Sequence, residues 1–63
     1  MTSSITDFIY RNLEFLFETN QMLHDYWVTE LWDEDGEVIH SMWNENTLQE
    51  LHNDVVSQQQ LLV

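Results

Sequence analysis

Acidic side chains crowd into one short stretch of the chain. Carboxylates this close together can bind a divalent cation, form a solvated turn, or present negative charge to a basic partner. The stretch spans residues 30–37 and reads ELWDEDGE. Its five acids are Glu30, Asp33, Glu34, Asp35 and Glu37.

A metal or cofactor site is not expected at these acids or at the histidines. An EF-hand loop needs Gly at its sixth position and an oxygen ligand at its first. With Gly36 in the sixth position, Leu31 falls on the first, and its side chain cannot bind calcium. The histidines His24, His40 and His52 are far apart and lack the close spacing of zinc ligands. A zinc site would require folding to bring them together.

The chain also lacks the motifs of an enzyme. It has 63 residues, one Gly and no Cys, so it has neither a Gly-rich phosphate loop nor a thiol nucleophile. A GxSxG motif is absent, and a chain of this length leaves little room for a dry pocket of ordinary ligand size. We therefore expect a non-enzymatic protein.

Net charge narrows the choice of partner. The chain has 12 acidic residues, one Arg (Arg11) and no Lys, for a formal charge of −11. Direct binding to nucleic acid is not expected, because nothing in the chain could replace the phosphate counterions. Anionic membrane surfaces are disfavoured for the same reason, and no apolar run approaches the ~20 residues of a membrane helix. We expect no signal peptide and a cytoplasmic location, in the host cell if the source is viral.

The elements that position the acidic stretch are predicted to follow the order α-β-β-α, which makes the fold class α+β. Residues 1–63 would form a single acidic domain, since the length allows only one. Its first helix would cover residues 5–23, where apolar residues recur at spacings of three and four, with Ser4 as N-cap. Two antiparallel strands would cover residues 26–33 and 37–43. A last helix would cover residues 47–59, opened by a capping box of Thr47 and Glu50.

The predicted hairpin turns at Glu34-Asp35-Gly36. Gly36 can adopt a positive φ, as a three-residue loop with a bulge requires. A two-residue turn at Asp35-Gly36 is the alternative, and it would shift the pairing by one residue. The bulged loop puts like residues opposite each other, beginning with the pairs Asp33–Glu37, Trp32–Val38 and Leu31–Ile39.

Strand alternation gives this hairpin two apolar sides. One side carries Trp27, Leu31, Ile39 and Trp43, and we expect it to lie against the first helix. The other side needs a further cover, which could be the last helix, a second copy or a partner. With the acidic tip it forms the predicted partner-binding surface, made of Val28, Glu30, Trp32, Asp33, Glu34, Asp35, Glu37, Val38 and Met42.

No motif identifies a family. In size and charge the chain is similar to small acidic phage or mobile-element proteins that block host factors, including DNA mimics and anti-CRISPR proteins. The resemblance implies an inhibitor or modulator that occupies a basic surface of a nucleic-acid-binding protein. One alternative is a structural or assembly protein whose second apolar side makes a homodimer. Another is an antitoxin-like partner of a basic toxin.

Overall fold

The computed structural model describes residues 4–62, which form three α-helices and a 3₁₀ turn without a β-sheet. The helices are α1 (Ile5–Thr19), α2 (Gln21–Leu31) and α3 (Glu45–Leu61). The 3₁₀ turn covers His40–Met42 and lies between α2 and α3. The predicted α+β class is therefore wrong, and so are the two predicted strands.

Most of the predicted first strand is helical. The spacing of its apolar residues is compatible with a strand and with a helix alike. Trp27 and Leu31 are four residues apart, and that spacing puts two side chains on one face of a strand or of a helix. Leu23 continues the row by another four residues and packs against the core. Trp27 and Leu31 are both buried. Packing of this row overrides the local preference of Trp, Val and Thr for strands.

A single residue, Asn20, separates α1 from α2. Its backbone N–H donates to the Leu16 carbonyl at 2.8 Å and closes α1. Its side-chain oxygen accepts from the Leu23 N–H at 3.1 Å and opens α2. The Asn20 backbone is extended, with φ −158° and ψ 90°. The predicted helix over residues 5–23 is thus interrupted by a residue that caps the helices on both sides.

The two helices joined by Asn20 run antiparallel. The Phe17 ring, near the end of α1, lies 5.4 Å from His24 near the start of α2. The Tyr10 ring lies 5.8 Å from Trp32, the residue that follows α2. α1 and α2 therefore form a helical hairpin.

The third helix, α3, runs in the same general direction as α1. Phe8 contacts His52 at a ring distance of 5.9 Å, and further along both helices Asn20 donates to Gln58 at 3.2 Å. α3 begins earlier than predicted, because the Asn44 side chain accepts from the Thr47 N–H at 3.0 Å and caps it. The helices share one buried core, which consists of Ile9, Leu13, Leu16, Trp27, Leu31, Leu51 and Val55.

Candidate protein-binding surface

The acidic loop, residues 33–37, is fixed by its own first residue. One carboxylate oxygen of Asp33 accepts the N–H groups of Asp35 and Glu37, at 2.9 and 3.0 Å. The Asp33 N–H donates to the Glu37 carbonyl at 2.9 Å, and the Gly36 N–H donates to the Asp33 carbonyl at 3.0 Å. Gly36 has φ 80°, the left-handed conformation for which glycine is suited. The loop therefore holds three further exposed acidic residues, Glu34, Asp35 and Glu37, on an ordered backbone.

Only the innermost pairs of the predicted hairpin are present. The hydrogen bond from the Asp33 N–H to the Glu37 carbonyl joins the two ends of the acidic loop. Next to it, Trp32 and Val38 form an isolated antiparallel bridge. The Ile39 N–H donates to the Leu31 carbonyl at 3.0 Å. The Trp43 indole N–H donates to the same carbonyl at 2.9 Å. The Leu31 carbonyl is free to accept both because the last carbonyls of a helix have no partner within it.

The predicted second strand is therefore replaced by a turn. The Met42 N–H donates back to the Ile39 carbonyl at 2.9 Å, which folds the chain into the 3₁₀ turn. Trp43 then lies edge-on to Trp32, with ring centroids 5.5 Å apart and planes at 90°. The indole of Trp43 thus covers one side of Trp32, and a continued strand pairing is not formed.

An apolar groove runs between α1 and α2, and we call it the α1–α2 groove. Two of its aromatic residues are largely open to solvent, since Tyr10 is 56% exposed and Phe17 is 55% exposed. Trp32 closes one end of the groove, and the acidic loop follows it directly in the chain. The groove is lined by Tyr10, Leu13, Glu14, Phe17, His24, Val28 and Trp32.

Negative charge borders this groove. Glu14 lines it on the α1 side. On the α2 side, the Asp25 carboxylate lies 2.9 Å from the His24 ring nitrogen. Arg11 lines a different hollow, together with Phe15 on α1 and Gln59 on α3. The described lining of the α1–α2 groove therefore combines aromatic surface with one carboxylate, Glu14, and contains neither Lys nor Arg.

The predicted partner-binding residues do not all come together. Val28 and Trp32 line the α1–α2 groove, and Val38 is bridged to Trp32 at its end. Glu30 lies elsewhere, because residues two apart on a helix point about 200° from each other and Val28 faces the groove. Met42 is half-buried in the 3₁₀ turn and packs against the core. The α1–α2 groove and the acidic loop at its end thus include four of the predicted acids and three of the predicted apolar residues, and Glu30 and Met42 lie outside them.

The prediction missed the contribution of α1 to this surface. Tyr10 and Phe17 provide most of the exposed aromatic area of the groove, and Glu14 lies beside them. The signal was present in the sequence, because the apolar arc of the first helix is wider than one neighbouring element can cover. His24 could not be placed there while residues 26–33 were interpreted as a strand.

The three histidines are dispersed. His24 packs edge-on against Phe17, His52 is tilted against Phe8, and His40 is exposed in the 3₁₀ turn. Within residues 4–62, His, Asp and Glu side chains do not gather into any group of three that could hold a metal ion. None of the helices described here is both long and apolar enough to cross a bilayer.

Comparison with known proteins finds no matching family model, no matching curated protein and no matching solved structure. The resemblance to small acidic inhibitors of phage and mobile elements therefore rests on size and charge alone. What supports a function for this chain is its own surface, namely the α1–α2 groove with the acidic loop at its end.

Proposed function

We propose that this chain is a non-enzymatic binding module that occupies a basic, nucleic-acid-binding surface of another protein. The observation that carries the proposal is the position of the ordered acidic loop at the end of an exposed aromatic groove. Charge on the loop would speed the encounter with a basic partner and make it specific. Exposed aromatic side chains would supply the apolar grip that charge alone lacks.

The charge balance supports a basic partner. Arg11 can balance at most one of the 12 acidic residues, so the others need cations from solvent or from another molecule. Self-repulsion at this net charge destabilises the compact state, and a cationic partner relieves it. Duplex DNA carries about one negative charge per 1.7 Å of its axis. A Lys/Arg surface that binds DNA is therefore suited to a surface dense in carboxylates.

A homodimer is the less favoured alternative. If two copies met through the α1–α2 groove, the carboxylates of Glu14, Asp25 and both acidic loops would approach like charges across the interface. Like charges placed together in an interface cost binding energy. An antitoxin-like role needs the same basic chemistry in the partner and differs only in what that partner does.

The test begins with affinity capture from a lysate of the source cell. Captured basic proteins are then mixed with a labelled DNA duplex, with and without this chain. We expect them to bind the duplex and to release it when the chain is added. Raising salt from about 50 to about 200 mM should weaken their binding to the chain by an order of magnitude or more. Binding that does not change with salt, or captured proteins that do not bind nucleic acid, would contradict the proposal.

A triple variant of the acidic loop and a single-charge control on α3 sharpen the test. The triple change Glu34→Gln, Asp35→Asn and Glu37→Gln removes three exposed charges and leaves the Asp33 carboxylate to hold the loop. It should weaken the capture of basic proteins and reduce the effect of salt on their binding to the chain. The single change Glu50→Gln, on an exposed position of α3, should have a much smaller effect. Equal effects per charge removed would show that only the net charge matters.

A further inference from the structure

We infer that the α1–α2 groove binds an amphipathic helix whose apolar stripe is flanked by Lys or Arg. This inference rests on the proposed function and names the element of the basic partner that the groove would accept.

The groove has the length and spacing that suit a helix. Tyr10 and Phe17 are seven residues apart on α1, which corresponds to two turns and about 10 Å along the axis. The opposite wall is a row at four-residue spacing, made of His24, Val28 and Trp32. A helix of the partner that lies between these walls would insert its side chains at positions i, i+3 or i+4, and i+7 into the groove.

A peptide that binds as a β-strand has no comparable place to bind. Peptides that bind as strands add to the free edge of a sheet, where backbone groups lack partners. In residues 4–62 strand pairing is limited to the isolated bridge of Trp32 with Val38. Away from the helix ends, the backbone groups of α1 and α2 are bonded within their helices. Strand addition is therefore disfavoured, and the spacing of the two walls suits a helix that offers side chains.

The negative charge beside the groove indicates that the bound helix carries cations. Glu14 lies on the α1 border, Asp25 lies on the α2 side next to His24, and the acidic loop lies at the Trp32 end. A helix with cations on both flanks of its apolar stripe would pair with both borders. α3 already covers the other side of α1, where Phe8 contacts His52. The α1–α2 groove is thus an apolar face of the helical hairpin that α3 does not cover.

The probe is a synthetic helical peptide of about 18 residues, long enough to form a helix when bound. Its Leu residues occupy positions i, i+3, i+4 and i+7 in each repeat, and Lys residues flank them. Two matched peptides separate the contributions: one replaces every Leu with Ser, and the other replaces every Lys with Glu. Binding is measured by titration calorimetry, and the Trp indole N–H signals are followed by NMR.

We expect the Leu/Lys peptide to bind and the two matched peptides to bind much more weakly. Phe17→Ser should weaken the Leu/Lys peptide about tenfold, since an exposed aromatic anchor is lost. Tyr10→Ser is a second variant at the other end of the same wall. Met22→Ser is the control, because Met22 is 85% exposed and does not line the groove. It should leave the affinity within about twofold.

The outcomes distinguish the groove from the broader proposal. Equal binding of the Leu/Lys and Ser/Lys peptides, with no effect of Phe17→Ser, would overturn the inference that the groove binds a helix. Binding driven by charge would still agree with the proposed function. Tight binding of the Leu/Glu peptide would overturn the requirement for cations. A dimer in sedimentation that Phe17→Ser dissociates would identify a second copy as the occupant and overturn the inference. Failure of both Lys peptides together with failure of the lysate capture would remove the proposed function as well.

Discussion

The hydrogen bond between Trp27 and Asp54 gives the most direct test of how the helices are arranged. The indole N–H of Trp27 donates to a carboxylate oxygen of Asp54 at 2.7 Å and so joins α2 to α3. Trp27 is only 4% exposed, and Asp54 is half-buried. In the α+β hairpin predicted from sequence, Trp27 faces Trp43, so a strong coupling to Asp54 is specific to the helical fold.

The size of this coupling follows from the surroundings of the two groups. A hydrogen bond to a charged group contributes about 1.5–3 kcal/mol to stability. Because Asp54 is half-buried, water can partly replace the lost donor, so we expect a coupling of about 1–2 kcal/mol. Trp27→Phe also removes buried indole surface, which raises its total cost to about 2–3 kcal/mol. For a domain of this size that is a large fraction of the whole stability.

The assay is a double-mutant cycle with Trp27→Phe, Asp54→Ala and the double variant. Unfolding in urea is followed by circular dichroism at fixed ionic strength, and each free energy of unfolding is compared. Asp54→Ala also changes net charge and helix propensity, but both changes occur in each arm of the cycle and cancel. Asp54→Asn is the control, because it keeps an acceptor for the indole and should lose less stability than Asp54→Ala.

A coupling below about 0.3 kcal/mol would refute this reasoning, since independent sites add to within that margin. It would mean that the indole and the carboxylate do not meet in solution. The position of α3 beside Trp27 of α2 would then be wrong.

Further measurements test the helix, the loop and the charge. Thr29→Ala, at an exposed position of α2, should stabilise the protein by about 0.5 kcal/mol, whereas in a strand the same change destabilises. The free energy of unfolding in urea shows whether the change stabilises the protein, as in a helix, or destabilises it, as in a strand. Gly36→Ala should cost about 1–2 kcal/mol, because φ is 80° while the added Cβ would meet open space. Asp33→Ala should lower Tm by about 4 °C or more, whereas Asp33→Asn keeps the accepting oxygen and should change it little. Added NaCl should raise Tm, because screening weakens the repulsion among the acids; a Tm that falls with salt would contradict this.

Local chemistry predicted some features of the structure well. The Asp7 N–H donates to the Ser4 hydroxyl at 3.0 Å, so α1 begins where its predicted cap lies. Gly36 has the positive φ that the turn sequence demands. These features depend on residues that are neighbours in the chain, and their geometry is therefore set by a few backbone and side-chain groups.

Features that depend on distant residues were not predicted. The helical state of residues 26–31 is favoured by the contact of Trp27 with α3, which no local pattern shows. The α1–α2 groove depends on the sharp reversal at Asn20, which brings Phe17 beside His24. A spacing of four residues is compatible with helix and strand alike. Packing against distant residues therefore decides which of the two residues 26–31 adopt.

The reversal at Asn20 has a consequence for how the chain associates. One residue keeps α1 and α2 from forming a single straight helix over residues 5–31, and its side chain supplies the cap that holds the bend. Asn20→Ala would remove that cap and favour the straight helix. A straightened chain would separate the faces of α1 and α2, and each could then pair with the complementary face of a second chain. Asn20→Ala is therefore expected to favour a domain-swapped dimer, which sedimentation would detect.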